Sequence, residues 1–449
     1  MQNDLLQTPL ANRLYSKVKD LPIIDYHNHL AISDIVEDRV FENITRLWIT
    51  PDPYKHRAMR ILGVPERFIT GDASDFEKFE KWYSCLPRLV GNPLYDWSQM
   101  EMKRVFDLPK LDLGADPKEV YEMLNQKLRA LSAKTILDRF SIEYCAPCTS
   151  LTDSLEVYAD SVTFAPSLRG DDILLPDAEF VKKLESCTGK AVDSLKTLLD
   201  AIDQRLEMFR AVGCQYTDHA LDNGFFYCDA QEDAAVCFAA LQKNKASDEQ
   251  KAVLSSYMLK NLASLYAKHG FCMQLHIGAQ RKTSTRLRKV AGAAGGYAGI
   301  GNSVNVDSLV RFLDDVEQLS YGLPKTLLFT LNPADNALIS ILCGSYSKDG
   351  VEAVVSQGPA WWWCDHAQGM TEMLEHFSVY GVLSVFVGMT TDSRSLLSFV
   401  RHDYFRRILC AWLAKKAEEG LFPLDETLLA DLAVRVCYQN AKNTLPINE

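Results

Sequence analysis

Two histidines separated by one residue carry the strongest chemical signal in the sequence. His27 and His29 close the apolar stretch PIIDYHNHLA, residues 22–31. In a β-strand, residues i and i+2 project to the same side, so both imidazoles would face one point. Imidazole nitrogen is a good ligand for zinc and other divalent transition metals. The pair therefore predicts part of a metal site, with Asp25 on the same face as a candidate partner of the ligands.

Further aspartate, histidine and arginine residues that could bind a metal or a substrate stand at the ends of other apolar segments. Asp218 precedes His219 in CQYTDHA, and His276 lies in CMQLHIG. Asp392 and Arg394 lie in MTTDSRS. Each alone has an ordinary structural explanation, such as an aspartate that caps the next helix. Their coincidence favours one site, because the first and eighth strands become neighbours only in a closed barrel.

Eight short apolar segments predict the strands of that barrel. They cover residues 22–30, 141–148, 161–167, 214–220, 272–278, 326–332, 351–357 and 385–392. Helical patterns separate them, including SSYMLKNLASLYAKHG, whose final glycine suits a helix C-cap. The alternation predicts an α/β fold, a (β/α)8 TIM-type barrel with catalytic groups at the carboxyl ends of the strands.

The spacing between the first two predicted strands is too long for one crossover helix. Residues 31–140 are rich in Trp, Tyr, Arg and acidic residues. We interpret them as a helical insertion beside the mouth of the barrel, within a single metal-dependent barrel domain that spans residues 1–449.

Composition limits the possible partners. The chain has 449 residues and a formal net charge of -11, which disfavours nucleic acid and anionic membranes, although a local basic pocket can still bind an anion. The start, MQNDLLQTPL, lacks the basic and apolar regions of a secretory signal, and no apolar run is long enough for a bilayer.

The twelve cysteines are scattered, and many stand in apolar runs where buried thiols are expected. This usage indicates a reducing compartment, and we expect the cytoplasm. Cys145 and Cys148 form the one C-x-x-C pair. A zinc ribbon and a redox pair are alternatives, but two strand-end thiols are favoured.

A family resemblance extends over nearly the whole chain. The matching segments, in order, are DYHNHL, FENITRLW, YKHRAMR, ITGDASDFEKF, GNPLYDWSQMEMKRVF, MQLHIGAQR, LNPADN, AWWWCD, FVGMTTDSRS and RHDYFRRILC. They closely resemble the uronate isomerase family of the amidohydrolase superfamily. The family has Asn and Gln where Cys364 and His366 stand, so the pocket wall there is expected to differ.

The resemblance implies an aldose–ketose isomerase of open-chain hexuronates. Glucuronate would be converted to fructuronate, and galacturonate to tagaturonate. This chemistry removes a proton from C2, returns one to C1, and moves a proton between two oxygens through an enediol. It requires a base, a proton shuttle and charge stabilisation.

The resemblance also assigns roles to residues. His27, His29 and Asp392 would bind one divalent metal ion, with zinc as the expected ion. Asp392 would take the C2 proton through a sugar hydroxyl. Arg394 would hydrogen-bond the C2 and C3 hydroxyls, and Tyr54 would meet the C1 carbonyl and help move the oxygen-bound proton.

Two further residues are candidates for substrate contact. His276 matches the strand-five histidine of the superfamily, and its contact with the metal stays open. Arg169, in APSLRGDD, is a candidate for the substrate anion, with a surface salt bridge as the alternative. The expected partners are a small-molecule hexuronate and further copies of the chain in a homo-oligomer.

Two other functions are compatible with part of this pattern. A metal-dependent hydrolase of the same superfamily would use the same ligands and a water nucleophile, and would cleave a lactone or an amide. A non-catalytic sugar-acid binding protein would bind uronate without turnover. The motifs within residues 31–140 argue against both, because a generic barrel hydrolase has no reason to carry them.

Overall fold

Seven parallel strands form the curled central sheet of the computed structural model, which describes residues 5–159, 161–228 and 233–445. Their order is β1-β2-β3-β4-β5-β8-β9, and β6 pairs separately with β7. The strands are β1 (Ile23–Asn28), β2 (Ile142–Ser150), β3 (Ser167–Arg169), β4 (Tyr216–Leu221), β5 (Cys272–Ile277), β6 (Ala279–Gln280), β7 (Gly299–Ile300), β8 (Thr326–Thr330) and β9 (Val355–Gln357).

The eighth barrel position is occupied by an irregular segment, so the prediction of a regular strand over 385–392 is wrong. This segment still runs beside β1, since the Asp392 N–H donates to the His27 carbonyl at 3.1 Å and the His29 N–H donates to the Ser393 carbonyl at 2.8 Å. Positive φ angles of 74° at Gly388 and 45° at Asp392 interrupt the extended geometry. The fold is therefore the predicted (β/α)8 TIM-type barrel with an irregular final position.

Two other strands are shorter than predicted. The expected strand at 161–167 begins only at Ser167, after Pro166, which has no N–H to donate to a ladder. The expected strand at 351–357 is reduced to Val355–Gln357, because residues before it turn through Ala353 at φ 48°. Both corrections move boundaries and leave the strand order intact.

Helices fill the connections between the strands. Helix α1 (Pro9–Val18) precedes β1. Between β1 and β2 lie α2 (Ile32–Val36), α3 (Ile44–Trp48), α4 (Pro53–Ile61), α5 (Asp75–Cys85), α6 (Pro93–Phe106), α7 (Pro117–Leu128) and α8 (Ala133–Asp138). The later helices are α9 (Asp171–Leu174), α10 (Ala178–Thr188), α11 (Leu195–Ala211), α12 (Ala234–Gln242), α13 (Asp248–His269), α14 (Thr285–Ala291), α15 (Val306–Glu317), α16 (Asn336–Leu342), α17 (Ala367–Tyr380), α18 (Val400–Glu418), α19 (Glu426–Val434) and α20 (Asn440–Lys442).

Local sequence signals explain where these helices begin and end. Helix α13 starts at a capping box in which Ser247 and Gln250 each satisfy the other's backbone N–H. It ends at Gly270 with φ 73°, which confirms the predicted C-cap. Within the described residues, no helix has the length and apolar character needed to cross a bilayer.

The helices between β1 and β2 pack directly on the barrel. Trp48 and Trp82 are fully buried and share one apolar cluster with Tyr26 of β1. Helix α4 begins at Asp52, whose carboxylate accepts from the backbone N–H groups of Tyr54 and Lys55. This continuous core fixes α4, and with it Tyr54, relative to the first strand.

Candidate active site

His27, in β1, and His29, directly after the end of β1, converge on one carboxylate. His27 Nε2 lies 3.2 Å and His29 Nε2 lies 3.1 Å from the same Asp392 Oδ1. The other oxygen, Oδ2, accepts a hydrogen bond from Trp361 Nε1 at 2.6 Å. Burial opposes ionisation of Asp392, but hydrogen bonds from His27 and His29 hold its pKa well below the usual value. The carboxylate is therefore ionised at neutral pH.

Asp25 organises the backbone beneath this cluster. Its fully buried carboxylate accepts hydrogen bonds from the Thr391 N–H at 2.7 Å, the Thr391 hydroxyl at 2.8 Å and the Thr390 hydroxyl at 3.0 Å. His402 Nε2 lies 3.1 Å from it. Asp25 was expected to partner the imidazoles. Instead, it ties β1 to the residues that precede Asp392 and so positions that carboxylate.

The donor set fits a divalent transition metal. Two ligand atoms at about 2.0–2.1 Å from a tetrahedral ion lie about 3.3 Å apart, close to the two His–Asp392 distances. Cys148 Sγ lies 3.7 Å from His27 Nδ1. The His27, His29 and Cys148 ligand atoms lie within 4.8 Å of one another. Cys148 and Asp392 face different ring nitrogens of His27. One ion bound to this imidazole can therefore have either Cys148 or Asp392 as a further ligand, but not both.

A second cluster, formed by residues of β4 and β5, lies against the first. His276 Nδ1 lies 3.0 Å from Asp218 Oδ1, and the His27 and His276 rings are 4.6 Å apart. Burial and the charge of His27 lower the pKa of His276. His276 Nε2 is buried without a hydrogen-bond partner among the described residues. It is therefore a nitrogen free to meet a ligand.

Arg169 connects this second cluster to the cavity. Its guanidinium donates to Asp218 Oδ2 at 3.2 Å and to Asp171 Oδ2 at 2.6 Å. Its side chain is 27% exposed and lines the same cavity as His27. Arg169 does form salt bridges, as the alternative interpretation of this residue expects. They lie beside the cavity, however, and not on the outer surface.

These groups line one cavity of about 830 Å³. The cavity is lined by more basic than acidic side chains. The acidic residues are Asp218 and Asp392, and the basic residues are Arg169, Arg281, Lys282, Arg288 and Arg394. The cavity lining is thus basic in a chain of net charge -11, which suits an anionic ligand.

The segment from β6 to β7 forms one wall of the cavity and rests on α4. Gly296 has φ 75°, and a Cβ there would lie 2.2 Å from the Pro53 carbonyl oxygen. Arg57 NH1 donates to the Ala298 carbonyl at 3.3 Å. This close approach requires glycine and fixes the wall beside Tyr54.

Tyr54 enters the cavity from α4 and is almost fully buried. Its hydroxyl donates to Asp365 Oδ2 at 3.1 Å. Arg401 NH1 donates to the same oxygen at 2.9 Å, and its guanidinium carbon lies 4.5 Å from the centre of the Tyr54 ring. Burial, and then the charge of Asp365, raise the pKa of Tyr54 well above its usual value. The phenol is therefore protonated.

Some predicted residues lie at the edge of this arrangement or outside it. Arg394 is exposed and lines the cavity at its rim. His219 faces away, with Nε2 2.9 Å from the Tyr266 hydroxyl. Cys364 is buried and donates to the Leu331 carbonyl, while His366 caps α17. Neither of these last two residues is among those that line the cavity.

The twelve cysteines are all free, which agrees with the expectation of strand thiols for the C-x-x-C pair. Cys145 and Cys148 both lie in β2. Cys145 accepts from the Asn28 side chain, whereas Cys148 faces the cavity. Burial raises the pKa of the Cys148 thiol, but His27 and His29 lower it to about 6.

Sequence reasoning missed three residues that contact the predicted set. Trp361 holds Asp392, and Asp365 holds Tyr54 with the help of Arg401. Trp361 and Asp365 stand in AWWWCD, and Arg401 stands in RHDYFRR. An aromatic run is typical of a buried core and a basic run of a helix start, so neither pattern by itself indicates a contact with Asp392 or Tyr54.

Comparisons with known proteins give a consistent result. A family model described as glucuronate isomerase matches residues 1–445. The uronate isomerase of Caldicellulosiruptor bescii is 37% identical, over 98% of this chain and 97% of that protein. The crystal structure of a uronate isomerase from Thermotoga maritima is 28% identical with a TM-score of 0.91, covering 99% of this chain and 100% of that one. A glucuronate isomerase structure from Caulobacter crescentus, 24% identical, shares the fold with a TM-score of 0.90 over 99% of this chain and 96% of that one.

Proposed function

The chain belongs to the uronate isomerase family and is an isomerase, and on this premise we propose that it interconverts open-chain hexuronates and their 2-keto isomers. The pairs are D-glucuronate with D-fructuronate and D-galacturonate with D-tagaturonate. One observation carries the proposal: His27, His29, Asp392 and Tyr54 all line one basic cavity. The family assignment does not favour the hydrolase alternative.

Asp392 is the proposed base for the C2 proton. It is ionised, because its two imidazole neighbours stabilise its charge. Its φ of 45° is rare for a residue with a side chain, and such conformations persist where the surrounding structure requires them. Here Asp25 holds the backbone next to Asp392, and Trp361 holds the Asp392 carboxylate.

His27, His29 and Asp392 are the proposed protein ligands of one divalent ion, and zinc is the proposed identity. Neutral imidazole and carboxylate are ligands that zinc prefers. A bound ion would act as a Lewis acid that polarises substrate oxygens and stabilises developing charge. His27, His29 and Cys148 form an alternative donor set that is also close enough to hold an ion.

The remaining residues bind and orient the sugar acid. Arg394 is proposed to hydrogen-bond the C2 and C3 hydroxyls, and Tyr54 to meet the C1 carbonyl. Arg169 is proposed to contact the substrate anion, and His276 to contact the substrate through its free Nε2. Bidentate guanidinium contacts suit carboxylates in particular.

Organisation and location complete the proposal. We propose one barrel domain over residues 1–449, in which residues 31–140 are an insertion that contributes to the cavity mouth. Twelve free cysteines support a reducing compartment, proposed to be the cytoplasm. A homo-oligomer stays a prediction, which light scattering on the purified protein tests.

The central experiment incubates purified, metal-replete protein with D-glucuronate and, separately, with D-galacturonate. We expect the corresponding ketose from at least one of them, measured by chromatography or by a ketose-specific reaction. A lactone and an amide serve as control substrates. No ketose from either uronate, together with cleavage of a control, would overturn the proposal in favour of a hydrolase.

A further inference from the structure

We propose that Asp365 is the proton store for Tyr54, so that the two residues form a relay for the oxygen-bound proton. The inference rests on the proposed isomerase function and deepens it. Tyr54 alone would have to accept a proton from one substrate oxygen and deliver one to another. If a neighbouring carboxylate accepts the phenolic proton between these two transfers, Tyr54 can carry out both.

The geometry of the pair supports the relay. The Tyr54 hydroxyl donates to Asp365 Oδ2 at 3.1 Å, and both residues are more than nine-tenths buried. Tyr54 lines the cavity, whereas Asp365 does not. A phenol that directs its hydrogen at a carboxylate leaves its oxygen lone pairs for another donor. A substrate hydroxyl in the cavity can be that donor.

Arg401 fixes Asp365 in this position. Its NH1 donates to Asp365 Oδ2 at 2.9 Å and to the Thr391 carbonyl at 3.2 Å. Its guanidinium carbon also lies 4.1 Å from the centre of the Trp97 ring. The residue is 1% exposed, so these contacts are shielded from water. Arg401 thereby connects the relay to the backbone next to Asp392.

The charges around Asp365 are mixed. Burial opposes its ionised form, Arg401 and the Tyr54 hydrogen bond favour that form, and the charges of Asp392 and Asp52 again oppose it. The balance raises the pKa of Asp365 to about 7. Both protonation states are therefore accessible near neutral pH, as a proton store requires.

The proton movements balance without any change of oxidation state in the protein. The C2 hydroxyl transfers its proton to the Tyr54 oxygen while the Tyr54 hydroxyl proton passes to Asp365 Oδ2. One O–H bond of the sugar breaks, the phenol is restored, and Asp365 becomes neutral. In the return step Asp365 gives the proton back to Tyr54 as Tyr54 protonates the C1 oxygen. Asp392 removes the C2 proton and returns it to C1, and this second transfer completes the ketose.

A double-mutant cycle tests whether Asp365 acts through Tyr54, and the isotope effects then separate the relay from a structural role. We expect Asp365→Asn and Tyr54→Phe each to lower kcat, by about a hundredfold for a lost proton-transfer group, with KM changed much less. In the Tyr54→Phe background, Asp365→Asn should have almost no further effect on kcat. Additive losses would overturn the proposal, because they would show that Asp365 acts independently of Tyr54.

Glu101→Gln is the matched control. Glu101 is also a buried carboxylate in the same charged region, but it hydrogen-bonds Trp48 and pairs with Lys55 at 3.7 Å. Its neutralisation should leave the relay intact, so kcat should stay within about threefold of the parent. If Asp365→Asn fails to fold, Asp365→Glu replaces it, since glutamate keeps the proton acceptor but displaces it.

Isotope effects give an independent readout. If the relay becomes rate-limiting in Asp365→Asn, deuterium at C2 should slow the variant less than it slows the parent. The effect of deuterated solvent should grow at the same time. Unchanged isotope effects in a slower variant would contradict the relay. An inactive parent would instead refute the isomerase function itself, so the two failures are distinguishable.

Discussion

The two sides of the cavity are built in different ways. On one side, His27 lies in the fully buried strand β1 and His29 stands directly after its last residue, and both point toward Asp392. On the other side, Tyr54 stands in the first turn of the nine-residue helix α4 and depends on Asp365 and Arg401. The first side is held by a backbone ladder, and the second by buried charges between distant segments.

This difference predicts different responses to mutation. Backbone hydrogen bonds of His27 with Asp392 and of His29 with Ser393 fix both imidazoles, so single changes there remove chemistry without moving the scaffold. The Tyr54 side has no comparable ladder. Small displacements of α4 or of its neighbours should therefore change the orientation of Tyr54, with graded effects on substrate binding.

The largest effect is expected from His27→Ala or His29→Ala. Loss of a residue that hydrogen-bonds a metal ligand costs about 10–100-fold in activity or affinity, and loss of a ligand itself should cost at least about a thousandfold in activity. Metal content, measured by elemental analysis after dialysis, should fall in parallel. A full equivalent of tightly bound metal in the double variant would show that the ligands lie elsewhere.

Asp392→Asn should have the next largest effect. The amide keeps the shape and one oxygen but cannot accept a proton. Turnover should therefore fall by at least about a hundredfold at saturating metal, while uronate binding suffers less. Metal content must be reported with the rate. Turnover within about tenfold of the parent, near 1.4 kcal/mol in barrier, would remove Asp392 from the role of base.

Gly296→Ala tests the Tyr54 side of the cavity. The new Cβ would meet the Pro53 carbonyl at 2.2 Å, so the wall must move away from α4. We expect KM for the uronate to rise about three- to tenfold, which corresponds to about 1 kcal/mol, with kcat lowered less. Gly292→Ala is the matched control, because Gly292 also has a positive φ, 70°, but no atom within 4 Å of an added Cβ.

In the same helix, an effect on acid stability and not on activity is expected. Burial lowers the pKa of His56 in α4 from 6.5 to about 4. The unfolded chain binds this proton first, so stability falls as pH drops from 6.5 toward 4. At about 1.4 kcal/mol per unit, the loss is about 3 kcal/mol at most. The melting temperature of His56→Gln should fall less between pH 7 and pH 5 than that of the parent; an equal fall would contradict this assignment.

Several features of the molecule follow from local sequence. The alternation in PIIDYHNHLA places His27 and His29 at the end of a strand because side chains repeat every two residues. The capping residues of α13 set both of its ends in the same way. Such signals act over a few residues, so the sequence is sufficient to predict them.

The limits of prediction lie where backbone geometry departs from regular patterns. The apolar run at 385–392 has the composition of a strand, but Gly388 approaches Val436 so closely that a Cβ would lie 2.2 Å from its carbonyl oxygen. A contact between positions so far apart in the chain is not encoded in local periodicity. The irregular eighth position could therefore not be predicted.

The sequence by itself determined the barrel class, the paired imidazoles and the strand-end acids, because these depend on short-range periodicity and on motif order. Only the tertiary structure decided that Asp25 holds the backbone before Asp392, that Trp361 donates to its carboxylate, and that Asp365 meets Tyr54. Tyr54 and Asp365 are 311 positions apart in the chain. Their contact depends on how α4 packs against the barrel, and no local pattern records that packing.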